Sequence, residues 1–362
     1  MRLSLQPRAR PARAMLWLSP LLAALLSIIG VTILFAVLGR NPIEALRTLF
    51  IAPLASVDGL SELGLKATPL LLCAVGIAIG VRADVWNIGA EGQFTLGAIF
   101  GSWVALTAGG QGHWWLIPAM LLAGVAGGVV WAAIPALLRT RFNAHEILTT
   151  LMLAYVSIQL LGYLVHGPWK DPEGYSFPQT KQFEADAMLP VLIPDTRLHV
   201  GALFALLAVP LGSVLLGRTL MGFRIRTVGA APAAARYAGF NRDAIVWFCL
   251  LLSGGLAGLA GICEIAGGNG QLTPIISPGY GFAAIIVAFL GRLNPVGILF
   301  ASLLMALLYL GGEGLQVAMQ LPIAVTGTIQ GMLLFFLLAA DVLITYRVRV
   351  QVARRSEAMR HA

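Results

Sequence analysis

The chain has 362 residues, 58% of them hydrophobic and 11% charged, with a formal net charge of +8. Soluble domains carry roughly a quarter charged residues, so water is excluded as the main solvent for most of this length, and the 41 glycines agree with helices packed in lipid. The positive charge does not read as a nucleic-acid footprint. The basic residues stand in short clusters between long apolar runs, as in loops that face an anionic membrane leaflet.

A helix that crosses a bilayer needs about 20 mainly apolar residues. Arg2, Arg8, Arg10 and Arg13 precede an apolar run from Met15 to Gly39. That run exceeds the roughly 7–15 residues of a signal-peptide core, so it reads as an uncleaved first transmembrane helix behind a cytoplasmic tail, 1–14. With 15–38 as the first, apolar segments follow at 67–82, 94–109, 115–138, 146–166, 199–216, 244–266, 283–291, 293–311 and 322–346. The stretch from Gly92 to Leu138 has no Lys, Arg, Asp or Glu and is divided at Gly109-Gly110-Gln111-Gly112-His113, where glycine and polar residues mark a turn. Two segments, 67–82 and 283–291, look too short to cross as plain helices. The prediction is an all-α, polytopic membrane protein of about ten transmembrane helices, some short or broken. It has a transmembrane domain over 15–346 and a basic cytoplasmic tail over 347–362.

Orientation follows from Lys and Arg. With an internal N-terminus and alternating crossings, 18 of the 24 basic residues fall on the cytoplasmic side and 6 outside. Both termini are therefore expected in the cytoplasm. Two connections exceed a turn. The outer segment 167–198 holds five of the sixteen acidic residues, and the inner loop 217–243 holds Arg218, Arg224, Arg226, Arg236 and Arg242.

Three stretches carry candidate chemistry. Asp84-Val85-Trp86-Asn87-Ile88-Gly89-Ala90-Glu91-Gly92-Gln93 joins the short segment 67–82 to the next. Polar, irregular backbone at membrane depth is tolerated where it lines a cavity or is buried in protein, and interrupted segments point to a transporter's site. Asn87, Glu91 and Gln93 offer donors and acceptors, and Trp86 a stacking face. The alternative is a wet cytoplasmic turn. Gly267-Gly268-Asn269-Gly270-Gln271-Leu272-Thr273-Pro274, then Ser277-Pro278-Gly279-Tyr280-Gly281-Phe282, precedes the second short segment. A broken segment beside a polar stretch in each half hints at a duplication, against the reading of an outer loop rich in turns. In the third stretch, 222–241, Pro232 suits a helix start and Gly239 a stop. That predicts a short cytoplasmic helix carrying Arg236 and Tyr237, fit to dock in a partner's groove, against an ordinary basic loop.

Glu264, Glu313 and Asp341 stand in or beside apolar segments and are candidates for ion coupling, against interfacial structural roles. Cys73, Cys249 and Cys263 lie in apolar stretches without C-x-x-C spacing and read as buried small residues. A P-loop needs a Gly-Lys pair, and none of Lys66, Lys170 and Lys181 follows glycine. His145-Glu146 lacks a second histidine and reads as a helix entry. No catalytic, metal or cofactor site is expected.

Ala83–Gln93, Phe142–Met152, the Arg226–Asn241 loop and Leu290-Gly291-Arg292-Leu293-Asn294-Pro295-Val296-Gly297 together resemble the permease family of ABC importers for nucleosides and simple sugars, relatives of the ribose and branched-chain amino acid permeases. The similarity runs from about residue 65 to 345. It implies a membrane-spanning, non-enzymatic transport subunit in the bacterial inner (plasma) membrane. The implied partners are a second permease (the same or a similar chain), an ABC ATPase that uses the ATP, and an extracytoplasmic solute-binding protein received by 167–198. Trp86, Asn87, Glu91, Gln93 and Phe94 would line the pathway, and Arg226, Gly229, Pro232, Arg236, Tyr237 and Gly239 would form the ATPase coupling element. The competing class is an ion-gradient-driven secondary transporter working through Glu264 or Glu313.

Overall fold

The computed structural model describes residues 2–7, 13–174, 177–322 and 324–351. Arg8, Arg10 and the tail from 352 lie outside the described residues, as do the side chains of Arg2, Arg13, Asp341, Arg347 and Arg349. Each of the ten expected apolar segments falls in a helix: α1 (Arg13–Val37), α3 (Val57–Val81), α4 (Ala90–Ala108), α5 (Leu116–Phe142), α6 (Glu146–His166), α7 (Gly201–Arg218), α10 (Arg242–Glu264), α11 (Tyr280–Leu290), α12 (Pro295–Met319) and α13 (Ala324–Thr345). Three short helices were not among them: α2 (Pro42–Phe50), α8 (Leu220–Ala230) and α9 (Pro232–Tyr237). Among the described residues six helices are long and apolar enough to cross a membrane, namely α3, α5, α6, α7, α10 and α12.

The expectation of a short segment at 67–82 is corrected. Helix α3 starts ten residues earlier, where the Ser56 hydroxyl accepts from Gly59 N at 3.0 Å. Asp58, Ser61, Glu62 and Lys66 interrupt the apolar run without interrupting the helix. Hydropathy reports the solvent around a helix, whereas its start is decided by the cap. The second short segment is short: α11 has 11 residues, about 16 Å at 1.5 Å per residue, against a hydrocarbon core of about 30 Å.

The chain forms two compact units. In the unit of residues 1–51 and 311–362, α1 packs along α13, with Gly30 against Met332 and Phe336. Asn41 caps α2 by accepting from Ile43 N at 3.0 Å, and Pro42 opens it. Strand β1 (Arg2–Pro7) pairs antiparallel with β2 (Tyr346–Gln351), Arg2 facing Gln351 and Pro7 facing Tyr346.

In the unit of residues 52–310, α3 is buried from Ala67 to Gly80 and is flanked by α7, α10 and α11. Beside it α4, α5 and α10 pack backbone to backbone. Gly97 lies on Gly258, Gly258 on Gly124, Gly128 on Gly254, and Gly261 on the Phe94 carbonyl, with no room for a Cβ at these crossings. Lipid tails are as apolar as leucine, so burial alone does not drive these helices together. Close van der Waals contact through small residues does.

Candidate functional site

After α3 the chain reverses sharply. Ala83 N and Val85 N both donate to the Gly80 carbonyl, and Asp84 takes the left-handed conformation with φ 57°. Residues 85–88 then run without helix into the protein, and Gly89 turns the chain into α4, which begins at Ala90. Asp84 remains exposed, but Asn87, Glu91 and Gln93 are only 2%, 4% and 1% exposed. The reading of this stretch as a wet turn is therefore set aside.

An unpaired buried amide would cost about 1–3 kcal/mol, and these amides are paired. Asn87 Nδ2 donates to Gln93 Oε1 at 2.7 Å and to Ser253 Oγ of α10 at 2.9 Å. Its Oδ1 accepts from Gly89 N at 3.1 Å and from Gln93 Nε2 at 3.2 Å. The two side-chain amides thus form a closed pair that sets the turn into α4.

Glu91 lies in the first turn of α4 and reaches the start of α11. Its Oε2 accepts from Gly281 N at 2.6 Å, and the Ser277 hydroxyl and the Phe282 backbone also hydrogen-bond to it. Ser277 in turn accepts from Gly279 N and Tyr280 N at 3.0 and 2.8 Å. One carboxylate therefore serves the positive N-terminal ends of two helices. Gly281 is required because its Cα rests on the Glu91 backbone, leaving no space for a side chain. The two polar, glycine-rich stretches singled out in sequence, nearly 190 residues apart, are brought together here.

The contact continues along α11. Phe94 meets Tyr280 edge-on at 6.4 Å, Tyr280 meets Tyr309 at 5.5 Å, and Trp86 stacks on Phe289 at 5.7 Å. At the far end Arg82 Nε donates to the Leu293 carbonyl at 2.9 Å. Residues 82–94 thus lie antiparallel to 280–293. Trp86 is half-buried, while Phe94 is fully enclosed.

The loop 217–243 folds as its glycine and proline placement predicts. Thr219 caps α8 through Gly222 N at 3.0 Å, Pro232 opens α9, and Gly239 with φ +77° ends it. Gly239 N returns to Arg236 O and Phe240 N to Ala235 O, both at 3.0 Å. Ala235 is the buried anchor of α9; Arg236 is exposed and Tyr237 is 98% exposed. Phe240 is held edge-on by Phe223 and covered by Arg224. Arg226 is exposed, and Gly229 is pressed against the Arg82 carbonyl with no space for a Cβ. The pathway candidates and the loop candidates therefore meet at Arg82, which the sequence offered only as one more cytoplasmic charge.

The segment 167–198 is stitched to the chain after α10. Thr180 N donates to Leu272 O at 3.0 Å, Phe183 N to Gly270 O at 2.6 Å and Leu189 N to Ala266 O at 2.8 Å. Asp186 accepts from Gly110 N and Gly112 N at 2.8–3.1 Å. These N–H groups, Gly110 first, hold its carboxyl below the usual range.

Glu264 ends α10 half-buried, and Glu313 is exposed on α12. Glu146 opens α6 as expected and pairs with Arg139. All three cysteines are free and buried, and no metal-holding cluster occurs among the described residues. Ser253, the second partner of Asn87, was missed because a single serine in an apolar helix carries no pattern.

Residues 59–338 match the family described as branched-chain amino acid transport system / permease component. The chain is 36% identical to the glucose ABC transporter permease protein TsgB13 of Haloferax volcanii over 98% of this chain and 95% of that protein. It is 28% identical to the nucleoside ABC transporter permease protein NupB of Lactococcus lactis over 94% and 96% of the two chains. It is 29% identical to the guanosine ABC transporter permease protein NupP of Bacillus subtilis over 88% and 92%. No solved structure matches the chain. A family match over most of the length, on a fold of packed apolar helices, decides the class against the secondary transporter: the chain belongs to this permease family and is the permease component of an ABC importer.

Proposed function

We propose that this permease forms the path for a small, neutral, polar solute, a nucleoside or a simple sugar, in the inner membrane, with both termini in the cytoplasm. The relatives named for glucose, nucleosides and guanosine support the solute class, and the paired chain ends support the shared side. The stretch 86–94 borders the path. Asn87, Glu91, Gln93 and Phe94 shape its wall from within, and Trp86 is the ring with surface left to stack on a base or sugar. A second permease completes the membrane core, a separate ABC ATPase uses the ATP, and an extracytoplasmic binding protein delivers the solute to 167–198.

The observation that carries the reading is α9. It is a six-residue helix with one buried anchor, ended by a left-handed glycine and presenting Arg236 and Tyr237 outward. A surface helix of this kind fits a groove on the ATPase, with Arg226 and Gly229 supporting it from α8. The mechanism is alternating access, and ATP supplies the bias because a solute shifts an equilibrium only by binding one state better. Replacing Arg236 by Glu is expected to leave folding intact and to uncouple uptake from ATP hydrolysis. Normal uptake by that variant with its ATPase present would show that the loop has another role.

A further inference from the structure

Helix α11 is a discrete piece with a turn at each end. Gly279 before it has φ +96°, and Arg292 and Leu293 after it both have φ +54°. Two successive non-glycine residues in the left-handed region are strained and persist only where the surroundings hold them. Here the holder is visible: Arg82 Nε bonds the Leu293 carbonyl at 2.9 Å. Arg82 is also the residue on which Gly229 of α8 rests, so the inner loop touches the group that pins the C-terminal end of α11. The opposite end is pinned by Glu91 through Gly281 N at 2.6 Å, where Gly281 and Glu91 meet backbone to backbone.

We infer that α11 is the lever that the inner loop moves, with Arg82 as its linkage and Glu91 as its pivot. This rests on the docking of α9 to the ATPase. When α8 and α9 shift together, Gly229 displaces the Arg82 carbonyl, and the guanidinium carries the displacement to Leu293. The end of α11 beyond Phe289 swings while its start stays on Glu91, and the Trp86–Phe289 stack slides. Arg82 and Glu91 are positioning residues: neither needs to touch the solute.

The test uses the whole transport complex reconstituted in sealed proteoliposomes. ATP hydrolysis and solute uptake are measured for the unaltered permease, Arg82→Met, Arg82→Lys and Arg236→Glu. The lever predicts that Arg82→Met, which has no donor for Leu293, keeps hydrolysis while uptake falls about tenfold, within the coupling that single residues carry. Arg82→Lys, which keeps a donor for Leu293, restores most of the uptake. A purely structural role would instead lower both activities and the yield of complex together. A second readout needs no Arg82 variant. The distance from a spin label at Leu290 to one at Leu137 on α5 is compared with and without trapped nucleotide. A change of about 2 Å or more is expected, the scale of small helix shifts in switching proteins. An unchanged distance overturns the lever. Normal uptake by Arg82→Met overturns the lever alone if Arg236→Glu is uncoupled, and the docking reading with it if Arg236→Glu is also normal.

Discussion

The junction around Glu91 and the helix α9 are both small, polar and glycine-bounded, yet their side chains are in opposite condition. At the junction every polar group named above has a partner within the chain: Asn87 with Gln93 and Ser253, and Glu91 with Gly281 and Ser277. On α9 the polar and aromatic surface faces out, Tyr237 almost completely. A region whose bonds are closed internally stores a defined geometry that can change only as a unit. A region whose surface is open awaits a partner. The difference assigns positioning to the first and docking to the second.

The comparison can be broken most severely beneath the junction. Gly258→Leu would thrust a branched side chain into α5 at Gly124 and Gly128. Overpacking commonly costs about 1–3 kcal/mol, and here backbone atoms block relief, so the yield of folded permease in mild detergent is expected to collapse. Next in size is Asn87→Leu, which strands the Gln93 amide and lowers stability by about 1–3 kcal/mol, the cost of an orphaned buried group. Asn87→Leu with Gln93→Leu should cost less than the two single losses added, because the partners form one unit. Thermal melting of the four forms checks this. Tyr237→Ala should leave melting unchanged to within about 0.5 kcal/mol, as for surface positions, while ATPase binding weakens. Smallest is the Asp186 latch. Its hydrogen-bonded carboxylate has a lowered pKa, so its contribution is present above the ordinary value of about 3.9 and is lost as pH falls through the lower, folded-state value. Amide exchange at Gly110 and Gly112 should stay slow at neutral and mildly acidic pH and quicken only below the ordinary carboxylate range.

Much of this was legible in the residues because membrane helices announce themselves by apolar length and short helices by caps. The limits of α9 follow from Pro232 and Gly239, and the break before α4 from Asn87 and Glu91. What stayed hidden depends on tertiary contact. The start of α3 was masked by Asp58, Glu62 and Lys66, which occupy a helix end without ending it. The pairing of Asn87 with Gln93 joins residues whose closeness depends on the non-helical course of 85–88 and the turn at Gly89. Arg82 looked like an ordinary inside-positive charge, and only the turn at Leu293 makes it a linkage. The spacings Gly124–Gly128 and Gly254–Gly258 did carry a readable signal, since small residues four apart mark close helix crossings.

The most direct test of the central claim is to place a photo-crosslinking residue at Tyr237 in native membranes and identify what it captures. The account predicts an ATPase subunit carrying a P-loop, captured at Tyr237 but not from a control at Leu207 on the outward side of α7. Equal capture from both positions, or vesicles that take up solute without ATP while Tyr237 captures nothing, would contradict it.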